Sequence, residues 1–357
     1  MDNGVDIYRQ LQQHLDKMPI GYPATQSGVE LRLLKFLFTP EQARVALKLD
    51  YLFRTLKQIY EGVKNTGMTL VELEEKLEEM VDRGTIFFKK KGGLKFYANM
   101  PFVVGMMEFQ HTRATPEFLR DTGEYFQEKM AGELLRLKLP QMRVVPVRKS
   151  IAAEHRVGTY DELRNLIENS EGRIRVGPCT CRVSMQKAGH PCKVTKRDET
   201  CMAFRESADV FERTGWGRAI DKEEALEIAA RNEEDGLVLQ PGNQQEAQFM
   251  CSCCGDCCAV MRLWKEMPRP AEFVASNYHA EGDPDLCTGC EACVDRCQMG
   301  ALTIRDEVAA VNPDRCIGCG LCVPACASEA IHLVRREQAA MPPRSVQDLY
   351  EAIQARK

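Results

Sequence analysis

Between residues 29 and 112 apolar positions recur every three or four residues, interrupted by short polar stops. That period predicts helices over 29–38, from Pro40 onward, over 55–63 and over 69–82, with Lys64, Asn65, Thr66 and Gly67 separating the last two. Gly84 stops the last helix, and the pattern changes to strand-like runs over 85–90 and 94–98, joined across Gly92 and Gly93 as a hairpin. Farther along, Phe126, Met130, Leu134 and Leu137 mark one face of an amphipathic helix over 116–139, which Pro140 ends. Residues 143–147 read as a strand. Thr159 with Glu162 forms a capping box whose helix leads to a short strand over 173–176. A second box, Asp221 with Glu224, opens a helix that stops at Gly236.

Helix, turn, helix and β-hairpin in this order resemble a winged-helix domain over 29–112. In that family the second helix of the turn motif enters the major groove. Here that helix carries Glu72, Glu74, Glu75, Glu78, Glu79 and Asp82 against Lys76 alone. Phosphates repel such a face. Residues 1–112 hold 15 Lys and Arg against 14 Asp and Glu, short of the basic balance of a DNA reader. Lys89, Lys90, Lys91 and Lys95 make a positive hairpin, which reads as a solvated surface. Docking to protein rather than to DNA is the expectation for this domain.

The 17 cysteines of the 357-residue chain all fall between Cys179 and Cys326. The amino terminus lacks the basic start and apolar run of a secretory signal, and no apolar stretch approaches the roughly 20 residues that cross a bilayer. A cytoplasmic, reducing location follows as an expectation, and there many tightly spaced thiols imply metal rather than disulfides. So many thiolates are an oxidation hazard in air, which points to an anaerobic or low-oxygen host.

The densest signal is Cys287-x2-Cys290-x2-Cys293-x3-Cys297, repeated as Cys316-x2-Cys319-x2-Cys322-x3-Cys326 at a constant offset of 29 residues; Ala301-Leu302 and Ala330-Ile331 keep the same offset. Such a duplication implies two half-modules about a pseudo-two-fold axis. Three cysteines on a tight loop wrap one face of a cubane, with Gly289 and Gly318 admitting the backbone, and the fourth points to the partner cluster. Cys287, Cys290, Cys293 and Cys326 then hold one 4Fe-4S cluster, and Cys316, Cys319, Cys322 and Cys297 the other. Zinc ribbons would use separate paired knuckles instead. The module resembles bacterial two-cluster ferredoxins. It departs from them at Gln298 and Ala327, where that family usually has proline; each restores a backbone N–H near a cluster sulfur, which raises the reduction potential.

Nine cysteines remain: Cys179, Cys181, Cys192 and Cys201 in one group, and Cys251, Cys253, Cys254, Cys257 and Cys258 in another. Adjacent cysteines do not easily reach one metal, so Cys253 and Cys254, like Cys257 and Cys258, are expected to face different partners. Nine thiols suffice for one or two further four-ligand sites with at least one to spare. A relay cluster, a cluster with an open iron and a zinc site all fit. His190 and His279 are further ligand candidates, though single histidines near cysteines are usually structural. Arg182 and Arg218, with their flanks, bring cations within use of an anionic cluster.

Across most of its length the chain resembles a group of anaerobe proteins. These join a winged-helix-like start, a C-x-C-R segment (Cys179 to Arg182), a C-x-C-C-G segment (Cys251 to Gly255) and a two-cluster ferredoxin end. The resemblance implies a multi-cluster electron carrier, often a subunit or partner of a larger oxidoreductase. The expected fold class is α+β and mainly helical, divided as follows: a polar leader (1–28), a winged-helix-like domain (29–112), a helical connector with short strands (113–178), a helical cysteine-rich domain (179–280), a ferredoxin domain (281–336) and a tail (337–357). The expected cofactors are 4Fe-4S clusters, at least two and by thiol count three or four. The partners are redox proteins, with neither DNA nor membrane insertion. No G-x-G-x-x-G after a strand and no P-loop is present, so an autonomous enzyme is not the expectation. Two other readings are a redox-sensing winged-helix regulator and an enzyme with an open-iron cluster in the middle domain.

Overall fold

Leu11 and Leu15, one helical turn apart, give the start of the chain a narrow apolar stripe, and it folds as α1 (Ile7–Leu15) with both leucines buried. From Ile7 on, the stretch expected as a polar leader is therefore structured, with Met18, Ile20 and Tyr22 buried beyond the helix. The computed structural model describes residues 6–150 and 163–357. The Thr159–Glu162 capping box lies outside them. Two units arise. The first comprises the chain up to Leu139, with Glu206–Arg218 and Tyr350–Lys357; the second is Pro140–Arg205 with Ala219–Leu349.

In the first unit, α2 (Val29–Leu37), α3 (Pro40–Ala46), β1 (Arg54–Thr55), α4 (Leu56–Glu61) and α5 (Leu70–Asp82) precede a hairpin of β2 (Ile86–Lys91) and β3 (Leu94–Asn99). Thr39, Thr55 and Thr69 each cap a helix with a reciprocal side chain three residues on. Gly84 ends the α5 turn at φ 65° and abuts Phe109, where a Cβ has no room. The sheet order is β1-β3-β2, antiparallel throughout. The long helix over 116–139 is present as α6 (Pro116–Tyr125), a π-type turn (Phe126–Met130) and α7 (Ala131–Arg136).

The second unit opens with an extended run. Residues 143–147 make isolated bridges (Arg143 to Ala275, Val145 to Leu239) rather than a laddered strand. Then come α8 (Leu163–Glu168), β4 (Ile174–Pro178), α9 (Thr180–Lys187) and β5 (Glu199–Phe204). Helix α10 (Arg205–Arg213) carries the chain into the first unit, where the Phe211 ring packs between those of Phe109 and Trp216, centroids 4.2 and 4.4 Å away and planes tilted. β6 (Arg218–Ile220), α11 (Lys222–Glu234), β7 (Val238–Pro241), β8 (Phe249–Cys253) and α12 (Ala259–Glu266) follow. The strands form one five-stranded sheet, β6-β4-β5-β8-β7.

This corrects the expectation of a helical cysteine-rich domain. The strand signal was hidden because β5 and β8 are themselves the cysteine motifs, and β7 is a four-residue run after Gly236. Met202 and Met250, paired across β5 and β8, face a core with Val176, Phe204, Ile228 and Trp264.

The rest of the second unit is β9 (Tyr278–Gly282), α13 (Ala292–Arg296), a β10–β11 hairpin (Leu302–Arg305 and Val308–Val311), β12 (Ile331–Arg335) and α14 (Val346–Gln354), which crosses back into the first. β12 pairs antiparallel with β9, Ile331 opposite Gly282; β10 pairs with β11, Leu302 opposite Val311. Each pair maps onto the other by 29 residues with the order exchanged, which is the signature of a pseudo-two-fold axis between two halves.

Candidate metal centres

The exchange of halves extends to the thiols. The Ala280 N–H donates to Cys316 Sγ and the Ala309 N–H to Cys287 Sγ, both at 3.3 Å. A Cβ at Gly289 would lie 2.7 Å from the Glu307 carbonyl oxygen, and one at Gly318 would collide with that of Tyr278. Both glycines adopt positive φ, 65° and 70°. Each cysteine loop is thus clasped by the strand of the other half, and only glycine fits at the clasp.

The fourth cysteines are shared the same way. Burial raises the thiols of Cys316, Cys319 and Cys322, and the charge of the nearby Cys297 raises each further, Cys319 to about 12. Burial likewise raises Cys293, where Cys326, Cys287 and Cys290 add to the effect. Cys297 therefore sits with the later three and Cys326 with the earlier three. Cys326 is held below the ordinary thiol range: burial is outweighed by the Ser328 hydroxyl and the N–H groups of Ile331, Ala330 and Ser328. The Ala301 N–H donates to Cys297 at 3.3 Å. Two gathered sets of four thiols, lined with backbone donors and glycine clearances, fit a pair of anionic iron–sulfur clusters. Cys290 is exposed, whereas Cys316 and Cys322 are buried.

The other nine thiols divide into six and three. Cys179 neighbours Cys181 and Cys201, Cys181 neighbours Cys258, Cys258 neighbours Cys253, Cys253 neighbours Cys251, and Cys251 neighbours Cys201. The contacts close into a ring. Strand alternation builds one side of it, since Cys251 and Cys253 are two apart on β8 and share a face. The antiparallel register of Met202 with Met250, continued one step, sets Cys201 opposite Cys251. Two helix starts build the other side: Cys179 is the N-cap of α9, and Cys258 that of α12. Both positive helix ends therefore point at the thiols, as an anionic group requires. Cys201 is held well below the ordinary thiol range by the neighbouring thiols of Cys179 and Cys251, then by the Arg182 charge and the Ser252 N–H, against burial.

Arg182 is buried, which alone lowers its pKa, but the thiols of Cys179, Cys201 and Cys254 more than reverse this. Its guanidinium also donates to Thr200 Oγ1 at 2.6 Å and to the Ser252 carbonyl at 2.5 Å. It is the cation built into the thiol region. The other flank, 215–217, instead packs Trp216 on Phe211.

Cys192, Cys254 and Cys257 form the second group, joined by Asp256; the four donor atoms lie within 4.8 Å of one another. Cys253 and Cys258 thus turn to the ring while their neighbours Cys254 and Cys257 turn away. His279 pairs with Glu281 at 2.9 Å and His190 is exposed at the end of α9, so neither joins a thiol group. Sequence reasoning passed over two residues. Asp256 was signalled only by its place between Cys254 and Cys257, and the Gln298 side chain by nothing local.

Gln298 lies between the two regions. Its amide oxygen accepts from the Gly255 N–H at 2.5 Å, and its NH2 donates to the Gly236 carbonyl. Arg296 donates to the Glu233 and Glu234 carbonyls at 2.5 and 2.7 Å, at the end of α11. Arg315 does the same for Lys265 and Met267 at the end of α12, at 3.1 and 2.8 Å. Both arginines complete helix C-termini, where positive charge is favoured.

Residues 286–330 match the model of the 4Fe-4S dicluster domain family. No curated protein and no solved structure matches the chain.

Proposed function

We propose that this chain is a relay of electrons between redox proteins, a partner or subunit of a larger oxidoreductase, built on the 4Fe-4S dicluster domain at 286–330. When bound, such clusters supply one-electron exchange. Cys287, Cys290, Cys293 and Cys326 hold one; Cys316, Cys319, Cys322 and Cys297 hold the second; the six-thiol ring holds a third iron–sulfur centre.

The observation that carries this reading is a shared apolar wall. Cys253 and Cys258 of the ring belong to the hydrophobic cluster that contains Met299, Ile317 and Leu321, and Cys297 and Cys319 pack against the same cluster. The ring and the inner ferredoxin set therefore border one continuous dry region, with the exposed Cys290 of the outer set at the surface. That order supports a path from ring to inner set to outer set. Asp285, Glu291 and Asp295, which flank the outer-set cysteines Cys287, Cys290 and Cys293 in the chain, are exposed, a surface suited to a basic partner.

The helix order and the β1-β3-β2 sheet of the first unit support a winged-helix-type domain used for protein docking. The face that would read DNA is occupied from within. Lys95 pairs with Glu74 and Glu78 at 2.9 and 3.0 Å, and Arg213 of the inserted helix pairs with Glu78 and Asp82 at 2.8 and 2.6 Å. No helix among the described residues is long and apolar enough to cross a membrane.

Stepwise reduction of anaerobically prepared protein with a low-potential donor tests the relay. The proposal requires reversible uptake of more electrons than the two held by a dicluster ferredoxin. Uptake that stops at two removes the ring from the path, and no reversible uptake overturns the function.

A further inference from the structure

We propose that Cys192, Cys254, Asp256 and Cys257 hold a single tetrahedral zinc ion, separate from every iron–sulfur centre. The argument is one of size. Zinc binds thiolate at about 2.3 Å and carboxylate oxygen at about 2.0–2.2 Å, so tetrahedral donors around one ion lie roughly 3.6–3.8 Å apart. Cys192 Sγ lies 3.7 Å from Cys254 Sγ and 3.8 Å from Asp256 Oδ1. All four donors stay within 4.8 Å of one another. A cubane spreads its thiolates over four different irons and holds them well beyond a tetrahedral edge.

The donor set and its surroundings agree. Three thiolates with one carboxylate make a closed four-coordinate shell with no position left for substrate, the mark of a structural site. Asp256 is oriented by a second contact, the Lys193 N–H donating to Oδ2 at 2.7 Å. Cys254 and Cys257 are buried beside Leu237, with Met185 and Val194 packed against them.

The ion would tie a loop with little regular structure, 188–198, to the turn between β8 and α12. Cys253, the last residue of β8, and Cys258, the N-cap of α12, bound that turn and belong to the ring. Fixing Cys254 and Cys257 on one side of it therefore fixes their neighbours on the other. The inference does not depend on the electron-relay reading, because zinc takes no part in redox chemistry.

The test is metal analysis of the full chain, produced anaerobically with iron in excess, together with X-ray absorption at the zinc edge. One zinc per chain is expected, in a shell of three sulfurs and one oxygen. Asp256→Cys should keep the zinc and convert the shell to four sulfurs. Cys254→Ser should lose zinc while the iron and sulfide of the ferredoxin half stay unchanged. Should Cys254→Ser be insoluble, Asp256→Cys decides alone, since a site without Asp256 leaves the shell as it was. Absence of zinc, or loss of iron and sulfide together in Cys254→Ser, overturns the proposal. Electron uptake read on the same preparations reports the relay separately.

Discussion

The side-chain oxygen of Gln298 accepts a hydrogen bond from the backbone N–H of Gly255 at 2.5 Å. One residue beyond Cys297 thus grips the turn that carries Cys254, Asp256 and Cys257, and its NH2 reaches the end of α11 at Gly236. A proline at this position, usual in the ferredoxins this module resembles, has no side-chain group to make either bond. The substitution of glutamine joins the ferredoxin half to the cysteine-rich sheet.

Gln298→Leu tests that role. It leaves the Gly255 N–H and the Gly236 carbonyl without their partner, costing about 1–3 kcal/mol for each that stays dry. The ferredoxin clusters should still form, so visible absorption of the folded protein holds while the denaturant midpoint of the second unit drops. An unchanged midpoint would show that the bridge is not a structural link.

Cys297→Ala should damage the cluster held by Cys316, Cys319 and Cys322, and spare the one held by Cys287, Cys290 and Cys293. The geometry behind this is the exchange of halves, in which Cys297 bears on the later thiols and Cys326 on the earlier. Paramagnetic resonance of the reduced variant reads the outcome. Survival of the signal from the buried set would refute crossed ligation.

Glu78 supplies a pH test in the first unit. Burial pushes its carboxyl up, but hydrogen bonds from Tyr97 and Lys95 and the charge of Arg213 bring it below the ordinary value. A carboxyl lowered in the folded state stabilises above its unfolded pKa, and that stability is lost as pH falls through the folded value. Glu78→Gln should therefore be less stable at neutral pH and converge with the parent under acid. Parallel acid limbs in the two unfolding profiles would contradict this.

How far the sequence carried the structure depends on what each residue answers to. The helices and hairpin of 29–112 were legible because their apolar period, Gly84 and the Gly92–Gly93 turn are local signals; α5 runs Leu70–Asp82 where the pattern implies 69–82. The ferredoxin repeat was legible because its spacing is the chemistry. The five-stranded sheet was not, since Cys201, Cys251 and Cys253 occupy strand positions that read as ligand motif rather than as alternation. Nor was the division of nine thiols into six and three. It depends on a register between β5 and β8, some 50 residues apart, and on Cys179 and Cys258 both standing at helix starts. The acidic face of α5 was legible as composition, but the pairing of Glu78 and Asp82 with Arg213 required the inserted helix α10 to be seen in place.

That pairing bears on partners. The full chain should show no sequence-dependent affinity for duplex DNA from its own host at physiological salt, because its acids oppose phosphate and Arg213 is already engaged. A mobility-shift titration decides. Tight, sequence-dependent binding would promote a redox-sensing regulator in place of a relay.

The central claim is that iron–sulfur centres stand in series from the ring to the exposed Cys290. Quantifying iron and sulfide in the anaerobic protein, with paramagnetic resonance of its reduced form, tests it most directly. The account predicts iron and acid-labile sulfide above the roughly eight of each that two cubanes hold, with magnetically interacting signals from the ferredoxin half and a further signal that Cys201→Ser abolishes. Close to eight irons per chain, with a spectrum that Cys201→Ser leaves untouched, would contradict it.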